Sequence, residues 1–200
     1  MLGLTLREEF RGKRLKGTAI ELSNDQQTGA TQVAAKQFLE ITYPTHDLLK
    51  GLAAVDPADN LVIIEDDDWY APDWLTTVAA ELQHAELVGE HRARYYNVQQ
   101  RRGRQLVNTG HASLCSTAMR GSALLDFADA CRSRPKFIDL ELWRRPRDRR
   151  LFGGHRVVGI KGLPGRGGIG MGHDAGFKGE ADPTGALLRD WIGCDEEAYR

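Results

Sequence analysis

The sequence predicts an α/β domain around a mostly parallel central sheet, and three observations carry that expectation. Asn60-Leu61-Val62-Ile63-Ile64 is a continuous apolar run, the mark of a strand covered on both faces. A helix-spaced segment follows closely, with Trp74, Leu75, Val78, Ala79 and Leu82 on one side. Strand-like and helix-like stretches alternate early and mix later, as in layered α/β chains.

In chain order, Gly17–Asn24 reads as a short strand closing in polar turn residues. Thr28–Leu39 has helical spacing, with Val33, Ala34 and Phe38 on one face. Asp47–Ala54 is a second short helix, stopped by Asp56-Pro57. Pro72 opens a helix through Gln83, since proline suits a first helical turn. Leu87-Val88, Tyr95–Val98, Gln105–Val107 and Ser113–Met119 read as strands, the middle two joined by the basic turn Arg101–Arg104. Ser122 is placed to cap a helix running to Arg132. Phe137–Arg145 predicts another helix, ended by Pro146. Arg156–Ile160 is a late strand, followed by a glycine-rich segment, Gly162–Gly172, and a final helix near Ala186–Ile192.

With 200 residues, 41% hydrophobic and 28% charged, the chain fits one folded domain rather than a disordered segment. No apolar run approaches the roughly 18 residues of a membrane span, so no membrane insertion is expected. Met1–Leu6 lacks a basic flank leading into an apolar stretch, which sets the expectation of a cytoplasmic protein. Cys115, Cys131 and Cys194 form no close-spaced pair, against a disulfide framework or a structural zinc site.

Charge is segregated along the chain. Residues 61–90 carry eight acids and no Lys or Arg, whereas residues 91–170 carry 17 Lys and Arg against five acids. An acidic cluster beside a basic half fits a metal ion and a polyanion bound close together; solvated faces that cancel each other fit as well. Arg92, Arg94, Arg101, Arg102 and Arg104 form one dense group, interleaved with Tyr95 and Tyr96, and Arg144, Arg145, Arg147, Arg149 and Arg150 form a second. Arginine suits phosphate, and aromatic interleaving is a feature of nucleic-acid surfaces.

The most informative stretch is Leu61–Leu75, LVIIEDDDWYAPDWL. Glu65, Asp66, Asp67 and Asp68 follow the buried strand at its C-terminal end, where ligands of open α/β sheets bind. Adjacent carboxylates repel one another, a cost that Mg²⁺ or Mn²⁺ relieves, and Asp66 and Asp68 alternate so as to point the same way. On that reading, Asp68→Ala leaves the fold intact because it relieves repulsion.

EDDDWYAPDWL resembles the aspartate-rich segment of GT-A-type, family 2-like glycosyltransferases. Thr117-Ala118-Met119-Arg120, then Phe137–Arg144 (FIDLELWR), is similar to a later run of the same family, in the same order. LVIIEDDDWYAP, HASLCSTAMR and KGLPGRGGIGMGH together look like compact transferase-like chains carried by tailed phages. The resemblance implies one GT-A-like domain over residues 1–200, with 1–60 an abbreviated nucleotide-binding part, 61–175 the metal and acceptor part, and 176–200 a C-terminal tail. It implies a nucleotide-sugar donor, UDP-linked by preference, and a Mn²⁺ or Mg²⁺ cofactor held by Asp66, Asp68 and His173. Ser23, Asp25, Asp66, Asp67, Lys161 and Arg166 are the implied nucleotide and diphosphate contacts. Asp139 is the implied catalytic base, with Glu141 in reserve. The family's Glu-Asp pair stands here as Ile138-Asp139, and the chain before Leu22 is short for the usual opening strands.

Each assignment has a plainer counterpart. Asp139 also suits a helix cap, His173 a surface histidine, the glycine-rich segment a connection, and Trp69 simple packing. The acceptor expected is DNA or another polyanion, such as a phosphate-bearing glycan. Two other classes fit the same acids and arginines: a metal-dependent nuclease or nucleotidyltransferase, and a non-catalytic polyanion-binding module.

Overall fold

A computed structural model describes residues 21–22, 45–65, 67–133, 137–145, 148–165, 172–173 and 175–199. The helix expected over Thr28–Leu39 lies outside the described residues.

The central run of apolar residues forms β2 (Leu61–Val62) and β3 (Ile64–Glu65), two stretches of one path separated only by Ile63. On one side β3 pairs in parallel with β1 (Glu21–Leu22). On the other, β2 pairs antiparallel with β8 (Thr117–Met119), and the Ile63 amide extends the ladder by donating to the Thr117 carbonyl at 3.2 Å. Next to β8 runs β5 (Leu87–Glu90), antiparallel, and beyond it β9 (Arg149–Phe152), parallel to β5. Every residue of β5 and β8 is buried, so neither face of these two strands meets water.

Strand alternation divides those buried residues between two cores. Leu87 and Met119 point to one face, where α1 (Thr45–Leu52), α3 (Ala123–Ser133) and α4 (Ile138–Arg144) cover them with Leu48, Phe127, Leu142 and Trp143. Val88 and Ala118 point to the other, against Trp74 and Val78 of α2 (Trp74–Glu81) together with Leu82. Gly89 is the point of closest approach: a Cβ there would stand 2.7 Å from Trp143 Cζ2, so only glycine lets α4 lie on the strand.

A second sheet stands beside the first. β6 (Arg92–Asn97) and β7 (Arg102–Val107) form a hairpin, with Arg101 at φ 50° in its turn. β10 (Val157–Lys161) joins β6 in parallel, β4 (Trp69–Tyr70) adds to the far side of β10, and β11 (Glu180–Ala181) adds to β7. The last helix, α5 (Ala186–Ile192), closes a third core of Tyr96, Val158, Ile160, Leu188 and Trp191.

The architecture is thus mixed α/β with mixed sheets, in place of the mostly parallel sheet expected. Hairpin partners such as β6 and β7 are joined by too short a turn to run parallel, and β8 returns between β2 and β5 in the reverse sense. Ser122 does not cap α3 as expected: its hydroxyl and its amide both donate to the Glu86 carboxylate. Among the described residues no helix is long and apolar enough to cross a membrane.

Candidate active site

The C-terminal end of β3 delivers the acids. After Glu65 the chain turns tightly, the Asp68 amide donating to the Glu65 carbonyl at 3.2 Å while the Glu65 amide donates to the Tyr70 hydroxyl at 2.9 Å. The turn carries Asp68 inward beneath β10. There Asp68 Oδ1 accepts the Ile160 amide at 2.9 Å and the Lys161 ammonium at 2.8 Å. Lys161 Nζ also donates to Glu65 Oε2 at 3.2 Å. The Asp68 side chain is wholly buried and that of Lys161 is 6% exposed, so this is an ion pair inside the protein. Asp68 Oδ2, equally buried, meets no nitrogen or oxygen donor, and the Cys115 thiol is the donor that stands beside this carboxylate.

Burial raises the Asp68 carboxyl; Lys161 draws it down, and Glu65 and Asp67 push it up again. For Lys161 burial works against the charge, but Asp68, Glu65 and Asp67 outweigh it and hold the ammonium well above its ordinary range. Both groups therefore keep their protons to higher pH than they would in water. Cys115 completes the constellation: one ligand atom each from Glu65, Asp68 and Cys115 lie within 4.8 Å of one another. Burial and the two acids push its thiol far above its usual range, so it stays protonated.

Of the residues expected at the metal, Asp68 occupies the centre and Asp66 lies outside the described residues. His173 is half-buried next to Gly172, whose carbonyl accepts Asn97 Nδ2 at 2.7 Å; it is not a member of the Glu65–Asp68–Cys115 group. Of the expected nucleotide contacts, Ser23, Asp25 and Arg166 lie outside the described residues. Asp67 is half-buried in the acidic turn, and Lys161 faces the acids. Gly162 and Gly172 give Lys161 its surroundings. Gly162 turns at φ +74° against Asn97, and a Cβ on Gly172 would stand 2.9 Å from Lys161 Cγ.

Asp139 and Glu141 part company on α4. Burial pushes the Asp139 carboxyl above its ordinary value; the Leu140 amide and His111 pull it down, and the Glu65 charge adds an upward push. The Glu65 charge, the smallest of these influences, is what connects Asp139 to the acidic strand end. Glu141 instead pairs with Arg145 at 3.4 Å, one helical turn on. Asp139 is not the cap of α4, a position held by Phe137; it lies inside the first turn, where the Leu140 amide contacts its carboxylate.

The fold consumes much of the charge segregation. Arg150 pairs with Glu81 at 2.7 Å, Arg156 with Asp73 at 2.9 Å, and Lys161 with the acidic turn, each joining the basic half to the acidic segment. The tyrosines between the first arginines turn inward. Tyr96 is 3% exposed and donates to Asp182 at 2.9 Å, and Tyr95 is 2.6 Å from the Ser113 hydroxyl. They offer no stacking platform for bases. Trp69 is a packing residue, its indole N–H donating to Asp195 at 2.8 Å.

Two features escape a linear reading. Cys115 reads as a small buried hydrophobe and becomes an acid-site neighbour only through the turn of Leu114–Ser116. Glu90, closing the apolar strand β5, is 1% exposed, and its two oxygens accept the Arg156 amide at 3.1 and 3.0 Å. An acid ending an apolar strand is the one signal available for it. Burial raises this carboxyl from 4.5 to about 7, so the fold favours its protonated form. Its stabilising contribution is full below pH 4.5 and is lost as pH rises through about 7, a change of about 3 kcal/mol. Glu90→Gln should flatten that part of the stability profile, measured by urea unfolding at several pH values.

No family model, no curated protein and no solved structure matches the chain.

Proposed function

We propose that the chain is a metal-dependent glycosyltransferase of the GT-A type, moving a sugar from a nucleotide-sugar to an acceptor hydroxyl. The observation that carries this reading is the acid–ammonium cluster at the end of the central strand. Its Asp68 Oδ2 is buried with no nitrogen or oxygen donor and only the Cys115 thiol beside it, and the charge of Glu65 reaches Asp139. An orphaned carboxylate oxygen costs free energy unless a cation or donor completes it.

A hard divalent ion would compete with the Lys161 ammonium that both carboxylates now accept. Asp68 and Glu65 offer carboxylate oxygens, and the protonated Cys115 thiol is a poor ligand, which favours Mg²⁺ or Mn²⁺ over a thiolate-bound metal. Asp68 and Glu65 would hold the ion, with Asp66 as the residue named for it by resemblance. Once bound, the ion would neutralise charge on the leaving diphosphate as a Lewis acid.

The chain's own groups supply the rest. Lys161, kept protonated by its acids, places a fixed positive charge beside the diphosphate position. Asp139 takes the proton of the acceptor hydroxyl as the oxygen attacks the anomeric carbon, whose bond to the diphosphate oxygen breaks so that nucleoside diphosphate leaves. Its raised pKa makes it a stronger base than an exposed aspartate. The direct test is release of nucleoside diphosphate from UDP-, GDP-, CDP- and ADP-sugars with Mn²⁺ and with chelator. Release from one donor that stops with chelator supports the reading, and release from none of them counts against it.

A further inference from the structure

An open groove of about 750 Å³ runs along the outer edge of β7, bounded by the 175–180 segment and α5. Its polar lining is one-sided in charge: Arg102, Arg104 and Lys178 against Glu180, with Gln100 and Gln105 between them. β11 pairs with β7 only at Arg102 and Gly103, so beyond them this edge has no strand beside it among the described residues. Gly179 packs directly onto the Gly103 backbone, and Arg102 donates to the Gly179 carbonyl at 2.9 Å, which fixes the two walls at one end.

One wall of the groove is joined to the acid site through packed residues. Asn97, which leads into the hairpin turn before Gln100, lies in register with Lys161. Phe177, on the groove wall, would be 3.9 Å from a Cβ on Gly172, the residue that packs against Lys161. Phe177 thus links the groove wall, through Gly172 and Lys161, to Asp68.

We infer that this groove binds the acceptor as an anionic glycan chain, and this deepens the transferase reading on which it rests. Guanidinium and ammonium groups suit carboxylates or phosphates spaced along a chain, and glutamine amides suit sugar hydroxyls. The volume lies within the range of sites for small molecules and short chains, roughly 300–1,000 Å³, and cannot seat a duplex. Single-stranded nucleic acid is disfavoured because both aromatic rings on the lining, Phe177 and Trp191, are 6% exposed and leave no face for a base.

The test titrates the full chain with four probes: hexagalacturonate, a phosphodiester-linked mannose oligosaccharide, maltohexaose and a short oligothymidylate. One or both anionic glycans should bind in a salt-sensitive way, and which of them binds separates carboxylate from phosphate recognition. Arg104→Ala with Lys178→Ala should weaken that binding by about tenfold or more, and the single charge reversal Lys178→Glu should act in the same direction. Equal binding of maltohexaose, tighter binding of the oligothymidylate, no binding of either anionic glycan, or undiminished binding by both variants overturns the inference. Nucleotide binding with Mn²⁺ is measured on the same samples. If it persists while glycan binding fails, the groove assignment alone falls; if it is absent while glycans bind, the groove stands as a glycan site and the transferase reading falls.

Discussion

Asp139→Asn is expected to slow sugar transfer by about 10²–10⁴-fold, the range contributed by a positioned general base. The amide keeps the size of the side chain and can still accept the Leu140 N–H through its oxygen, so α4 should fold as before. Nucleotide binding should be unchanged, because Asp139 acts on the acceptor. Glu141→Gln should keep the parent's rate, since its carboxylate is engaged by Arg145. The pH profile adds an independent reading. The active form of Asp139 is ionised and its pKa is raised, so transfer should fall as pH drops, at a higher pH than for an exposed aspartate. Transfer by Asp139→Asn at the parent's rate would leave this residue a first-turn helix residue and nothing more.

Asp68→Ala should destabilise the protein by about 3–5 kcal/mol, the cost of breaking a buried ion pair by removing one partner. The expectation drawn from the sequence was the reverse, that removing one acid of four would relieve repulsion. It did not foresee Lys161. In the folded chain Asp68 binds the Lys161 ammonium and the Ile160 amide, and its loss leaves that buried charge with the half-exposed Glu65 and the more distant influence of Asp67. Asp68→Ala combined with Lys161→Met removes both charges and should recover most of the stability. Urea unfolding of the two variants checks this, and the double variant also supplies a folded protein lacking the central carboxylate. A loss of under about 1 kcal/mol in Asp68→Ala would show that the pair contributes little.

Much of this was legible in the chain, because the strongest local signals were also the buried ones. Leu61–Ile64 is apolar on both faces and forms the central strand; Trp74, Val78 and Leu82 repeat at helical spacing and bury as a stripe; Ala186–Ile192 is a helix as read. The acids fall at the C-terminal end of their strand, as the apolar run before them implied. Pairing sense was not legible, since alternation along one strand says nothing about the direction of its neighbour. β9 was missed because Arg149 and Arg150 read as part of a basic run, while only Leu151 and Phe152 turn inward. The basic turn was misplaced for a similar reason: Arg102 and Arg104 belong to β7, and the turn itself precedes them. Lys161 was read as a phosphate contact by its place before a glycine-rich segment. Its partners are separated from it by more than ninety positions in the sequence, and only β10 lying over the acidic turn brings them together.

The central claim, that the acidic strand end is a metal-dependent nucleotide site, is tested most directly by thermal unfolding with UDP, GDP, CDP and ADP, each with Mn²⁺ or with chelator. A nucleotide present at about 100 times its dissociation constant stabilises the native state by roughly 2.7 kcal/mol. One nucleotide should raise Tm, an effect abolished by chelator and absent in the Asp68→Ala, Lys161→Met double variant. No rise for any nucleotide, or an equal rise in the double variant, would contradict it.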